Sequence, residues 1–575
     1  MCPFPWMDAL KGDYLEILHD YSSTVQQTLD QLTAQSAGRR IWARDGGFWS
    51  DDPGEVRGIE ERLGWLDLPE AMRVDVPRLE ALRVELRARK IERAVLLGMG
   101  GSSLAPEVLS EVFGVAPDGI ALVVLDATDP AQIRRVQAEG PLERAVFIAA
   151  SKSGTTAETR TLLEYFGQEL SAIVGDRWVD HVIVITDPGT PLVTEAREKG
   201  FLATYLATPE VGGRYSALSL FGLVPGALLG IDCDRLLKGA KEMAERCRAT
   251  VAVSDNPGIR LGAALGALAQ SGRDKLTYIT SPSLASFGWW GEQLIAESTG
   301  KLGTGILPIE SEPERPVAAY GQDRVFAYLR LADDANEATD ALVQELVDAG
   351  QPVLVMQMDN RYALGAEFFR WEMATAVAGQ ILGINPFDQP NVEQAKDGAR
   401  LALQTFEQTG ALARVDPVVQ EGPLALYGAA PSGMDMVSCL SSFLEQVRPC
   451  DYVAIMAYVD RNPAYAAQLQ EIRALLGARL GSATTVGFGP RFLHSTGQLH
   501  KGGSNSGFFL QLTQTESDDL AIPGHAYSFG VLKSAQAAGD MVALVENGRR
   551  VLRIDLGTDV KEGLGQLLAL LKQAL

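Results

Sequence analysis

Cysteine and histidine are scarce in this chain, long apolar runs are missing, and cationic residues are outnumbered. The five cysteines are Cys2, Cys233, Cys247, Cys439 and Cys450. They are odd in number, show no close pairs and have no zinc-ligand spacing, so reduced thiols are predicted rather than a disulfide framework or a metal cluster. The longest weakly polar stretch, Leu218 to Ile231, is broken by Gly222, Pro225 and Gly226, which excludes a membrane-spanning helix. The opening residues MCPFPWMDALKGDYLE lack a basic start and a signal-type apolar core, so a cytoplasmic protein is expected. A net charge of −22 with no long basic run argues against nucleic acid and anionic membranes as partners. An acidic chain that binds an anion must gather a few cations at the site, and Lys152, Arg214, Lys301 and Lys396 are the basic residues that stand inside motifs.

What the chain has is length and strand–helix alternation. Its 575 residues exceed one hydrophobic core and call for two to four units. Residues 1–90 read as a helical layer, with apolar positions at three and four spacing over Met7–Gln35 and Arg78–Arg89 and no strand. Residues 91–235 alternate short aliphatic strands (Ala94–Leu97, Ala121–Leu125, Ala145–Ala150, Val182–Thr186) with helical stretches. Residues 236–410 repeat the style with strands at Leu276–Thr280, Val325–Leu331 and Val353–Met358 and a long helical stretch at Ala366–Leu382. Such alternation predicts α/β units, each a doubly wound parallel sheet with helices on both faces. A Gly-, Pro- and Ala-rich connector at about 408–433 leads to a C-terminal α/β segment, 411–575. Its strands are expected at Tyr452–Tyr458, Thr484–Gly487, Phe508–Leu512 and Arg550–Ile554.

The strand Ala145–Ala150 leads into Ser151-Lys-Ser-Gly-Thr-Thr156 and then a helix. Four hydroxyls in these six residues, with Gly154 among them, gather around a helix N-terminus, where the backbone dipole favours an anion. Capping alone would use fewer. Gly100, Gly101 and Ser102 form a tight turn after the first strand, but Ser103 stands where a dinucleotide fingerprint has its third glycine, so a nicotinamide site rests on this loop alone. Paired glycines precede Arg214, whose guanidinium suits a phosphate or an oxyanion. Glu292 reads as a helix-surface acid, whereas Glu297 stands just before Ser-Thr-Gly at a helix end, where a carboxylate can act as a base. Gln389 lies in a turn, and Lys396 falls about two helical turns beyond it. Two of the five histidines, His494 and His500, share one short stretch without evident metal partners, which favours acid and base work at one of them.

Taken together GMGGSS, SKSGTTAET, VGGRYS, AESTGK, FDQPNVEQAK and LHSTGQLHKGG resemble the phosphoglucose isomerase family with its two sugar isomerase domains, over about residues 91–513. The details look most like the isomerase half of bacterial fusions with transaldolase, although some 90 residues before the first sheet fall short of the roughly 250 that such a barrel needs. The resemblance implies reversible isomerisation of glucose 6-phosphate and fructose 6-phosphate through ring opening and an enediolate, with neither metal nor redox cofactor. It assigns Ser151, Lys152 (through its backbone), Ser153 and Thr156 to the phosphate, Gly101 and Ser102 to the sugar, and Gln389 to a substrate-site amide. Arg214 matches the residue that steadies the enediolate and Glu297 the base; His494 and Lys396 match the pair that opens the ring. A homodimer is compatible with the family, in which the histidine typically comes from the neighbouring subunit. Here the histidine motif follows the FDQ…K motif instead of preceding it. Either the C-terminal segment delivers the His494 loop to the same cleft by another route, or His494 is not the ring-opening residue. A sugar-phosphate sensor without chemistry and a nicotinamide oxidoreductase are the rival readings.

Overall fold

The computed structural model describes residues 4–429 and 433–575. Residues 430–432, in the connector, and Cys2 lie outside the described residues. Three sheets organise the chain. The first is parallel throughout, with strands in the order Ala121–Leu125, Arg93–Gly98, Ala145–Ala150, Val182–Thr186, Ala203–Leu206. Every residue of Arg93–Gly98 and Ala145–Ala150 is buried, as expected for central strands covered on both faces.

The second sheet runs Val353–Met358, Arg324–Leu331, Lys275–Thr280, Leu307–Ile309 in parallel. Its outer edge corrects the expectation of a purely helical N-terminal layer. Tyr14–Ile17 is a strand, paired antiparallel to Val353–Met358 with Tyr14 opposite Met356. Four residues are too few for the alternation of a strand to stand out among apolar positions that also fit a helix. The two longest helices of this layer are Ser22–Ala34 and Val76–Ala88, and their apolar faces join the core that the first two sheets share.

The third sheet has the order Val419–Glu421, Leu424–Gly428, Arg550–Asp555, Gly507–Thr513, Tyr452–Ala457, Ala483–Phe488. Its first two strands form an antiparallel hairpin, so the connector belongs largely to the third unit. This unit has its own core, yet it is not detached. Ile522, Phe529 and Leu532 pack into the outer core of the first sheet beside Phe166 and Leu170. The helix Phe529–Glu546 also crosses the helix Pro390–Thr409 at two glycines: a Cβ on Gly539 would lie 2.4 Å from the Ala399 nitrogen, so only glycine lets these backbones approach so closely. The described cysteines, Cys233, Cys247, Cys439 and Cys450, are free thiols. Among the described residues no helix is long and apolar enough to cross a membrane.

Candidate active site

The strand Ala145–Ala150 ends in a turn that Gly154 makes with φ +67°, and the helix Ala157–Val174 starts at once. Thr156, its N-cap residue, makes no side-chain capping bond. Its hydroxyl pairs instead with that of Ser151 at 2.8 Å, and the Ser153 hydroxyl pairs with that of Thr155 at 2.9 Å. Hydroxyls at a helix start that are not spent on capping leave the positive helix end for an anion. The Lys152 side chain turns away to Asp187 and the Pro209 carbonyl, so only its backbone is left to serve the cradle.

The strand Arg93–Gly98 lies beside Ala145–Ala150, with Gly98 opposite Ala150, and its loop carries Gly100, Gly101 and Ser102 next to the cradle. Gly101 is pressed against the Arg214 loop: a Cβ there would stand 1.9 Å from the Gly213 carbonyl oxygen. Arg214 is 4% exposed and held by four hydrogen bonds. Its Nε donates to Ser298 Oγ at 2.7 Å, one terminal nitrogen to Gln389 Oε1 at 2.9 Å, and the other to the Pro386 and Asp388 carbonyls at 2.7 and 2.8 Å. Glu297 Oε2 lies 3.6 Å from that guanidinium and accepts from Gln293 Nε2 at 3.1 Å. Arg214, Glu297 and Gln389 therefore form one cluster.

The helix Phe287–Thr299 sets Glu297 in place through its apolar side, where Trp290 meets Phe368 edge-on at 4.7 Å. Lys301, another of the motif cations, braces the loop that carries Gln389 by donating to the Asn385 carbonyl at 2.8 Å and to Asp388 Oδ1 at 2.7 Å. Burial lowers its pKa to about 8.

His494 comes from the third unit and lies against Gly100, where a Cβ would be 3.0 Å from the His494 carbonyl oxygen and 2.7 Å from Gln293 Nε2. Its Nε2 is 3.1 Å from Glu158 Oε1, on the first turn of the helix behind the cradle. Burial works to raise the Glu158 pKa, but the His494 imidazole, by charge and hydrogen bond, a backbone N–H bond and the Lys396 charge outweigh it and hold the carboxyl below its usual value. The short helix Gly497–Gly502 is pinned by Gln498, which donates to the Gly300 carbonyl at 2.9 Å and accepts from the Asn391 N–H at 2.9 Å.

His500 is structural: its Nδ1 pairs with the Tyr452 hydroxyl at 3.0 Å, and burial pushes its pKa well below the ordinary value. Lys396 lies on the exposed side of its helix, ion-paired with Glu393 at 2.8 Å, near enough for its charge to act on Glu158. Glu292, expected on a helix surface, is instead half-buried and accepts from Ser495 Oγ at 2.8 Å; burial and then the Glu310 charge raise its pKa to about 8.

A model of the phosphoglucose isomerase family matches residues 84–303. A glucose-6-phosphate isomerase of Thermus thermophilus is 30% identical over 408 residues, which span 63% of this chain and 92% of that protein. The chain belongs to the phosphoglucose isomerase family. A glucose-6-phosphate isomerase of Carboxydothermus hydrogenoformans is 29% identical over 60% of this chain and 86% of its own length. Among solved structures, a hypothetical protein from Thermus thermophilus superposes with a TM-score of 0.57 at 27% identity, over 68% of this chain and 99% of that one. A glucose-6-phosphate isomerase from Chlamydia trachomatis gives 0.50 at 20% identity, over 68% and 85%, and supports the fold alone.

Within this phosphoglucose isomerase framework, sequence reasoning missed Glu158, Gln293 and Ser298 as members of the site. Glu158 stands inside the SKSGTTAET stretch and Ser298 beside Glu297, so proximity to a motif was the available signal. Gln293 carried none beyond lying one helical turn before Glu297.

Proposed function

We propose that the chain interconverts glucose 6-phosphate and fructose 6-phosphate by proton transfer through an enediolate. The observation that carries this reading is the continuity of the site. The hydroxyl cradle leads through Glu158 to His494, His494 lies against Gly100 beside Gln293, and Gln293 holds Glu297 next to Arg214.

In this reading the cradle of Ser151, Ser153 and Thr156, with the Lys152 backbone, anchors the phosphate, and Gly101 and Ser102 face the sugar. His494 exchanges a proton with the ring oxygen, its imidazole oriented by the Glu158 carboxylate. Lys396, whose ammonium is exposed in this structure, is assigned to ring opening with it. Glu297 takes the C2 proton of the aldose, its carboxyl exchanges that proton with solvent, and it delivers a proton to C1, while the buried Arg214 guanidinium stabilises the oxyanion. Gln389 shares that guanidinium and turns an amide towards the sugar. Chemistry of this kind on a sugar phosphate suits a cytoplasmic enzyme.

In this reading the third unit of the same chain delivers His494 to the cleft. A coupled assay that follows glucose 6-phosphate formation from fructose 6-phosphate tests the reading. Steady turnover by the purified protein is the expected result. Capture of the sugar phosphate with no product would overturn it in favour of a sensor.

A further inference from the structure

Behind the Glu158–His494 pair stands a residue that the steps above do not use. Gln536, on the helix Phe529–Glu546 of the third unit, is 6% exposed. Its Nε2 donates to Glu158 Oε1 at 2.7 Å, and its Oε1 accepts from Thr128 Oγ1 at 2.8 Å. The oxygen that Gln536 holds is the one that meets His494 Nε2 at 3.1 Å. A carboxylate only accepts, so the amide must present its nitrogen to Glu158 and its oxygen to Thr128.

The helix is itself fixed one turn earlier. Lys533, 2% exposed, is ion-paired to Asp129 at 2.5 Å and to Glu516, and Asp129 caps the helix Pro130–Ala138 of the first unit. Thr128 and Asp129 thus receive two consecutive turns of the same third-unit helix.

We propose that Gln536 is a positioning residue for ring opening. By fixing one oxygen of Glu158 it holds the His494 imidazole by Nε2 and leaves Nδ1 as the ring nitrogen free to exchange protons with the substrate. Buried networks of this kind act as a unit, so loss of one member misorients the next. The third unit then supplies both the ring-opening histidine and the group that aims it. This inference rests on the isomerase reading, but it makes a claim that the reading does not: Gln536 matters for closed rings and not for open chains.

The test compares fructose 6-phosphate with 5-deoxyfructose 6-phosphate, which lacks the hydroxyl that closes the ring. Loss of the C1 proton to D2O, followed by NMR, reads turnover of both. Gln536→Met removes the donor at similar volume, Gln536→Glu replaces it with a second carboxyl, and Thr128→Val releases the amide from behind. Each is expected to lower kcat on fructose 6-phosphate by about tenfold or more, with the open-chain substrate held within about twofold of the wild type. Equal losses on the two substrates, or no loss on either, would overturn the role of Gln536 while leaving the isomerase standing. A wild-type protein that exchanges neither substrate would overturn the isomerase reading and this inference with it.

Discussion

Glu297 and Arg214 sit 3.6 Å apart with Gln293 fixing the carboxylate, a geometry in which the carboxylate can take a proton while the guanidinium meets the charge that develops. Glu297→Gln keeps the shape and removes the base. Turnover is expected to fall by about 10² to 10⁴-fold with substrate affinity largely retained, as steady-state kinetics would show. The paired change Ser151→Ala with Thr156→Ala should do the reverse, raising KM with a smaller effect on kcat; a fall in kcat alone would contradict an anchoring role. Gly101 is a third kind of residue, defined by what cannot be there. An alanine would drive its methyl into the Gly213 carbonyl oxygen, 1.9 Å away, and displace the Arg214 loop, so activity should drop steeply while Lys152 and the cradle stay in place.

At the scale of elements, the helix Phe287–Thr299 has two tasks. One face packs Trp290 against Phe368, and the end of the helix aims Glu297. Trp290→Ala should cost about 3–5 kcal/mol of stability, since a buried indole leaves a cavity that its neighbours fill only in part. The same helix presents Glu292 to Ser495, with burial raising that acid to about 8. The folded protein therefore keeps this proton between the ordinary carboxylate value and about pH 8, where the unfolded chain has lost it. Stability should fall as pH rises through that window, and thermal melts of Glu292→Gln from pH 5 to 8 should show a flatter dependence.

Elements were also where the sequence was easiest to interpret. Continuous aliphatic runs such as Ala145–Ala150 and Val182–Thr186 mark buried parallel strands by themselves. Tyr14–Ile17 did not, because its partner Val353–Met358 lies more than three hundred residues away and edge pairing leaves no local pattern. Glu292 misled for a related reason: its own helix says surface, and partners far off in the chain, Glu310 and Ser495 among them, leave it half-buried. The cradle hydroxyls stood out by helix-end chemistry, whereas the roles expected of Arg214 and Glu297 rested on the resemblance of their motifs to the family. Glu158 and Gln536 were not legible, since each is defined by a partner on another unit.

At the scale of the molecule, the third unit is the unusual part. It packs Phe529 and Leu532 into the first unit's core, seats a helix on Thr128 and Asp129, and places His494 against Gly100. The histidine motif comes after the FDQ…K motif because a separate sheet carries it back to the cleft within the same chain. Mixing His494→Ala protein with Glu297→Gln protein should then restore no activity, because no intact site can arise from two defective chains; recovery on mixing would show that the histidine crosses between subunits. Proton transfer by Glu297 is open to a deuterium test. Fructose 6-phosphate incubated with the protein in D2O should yield glucose 6-phosphate that carries deuterium at C2, whereas Glu297→Gln should form almost no product and incorporate almost none. Wild-type rates of labelled product from Glu297→Gln would contradict the account.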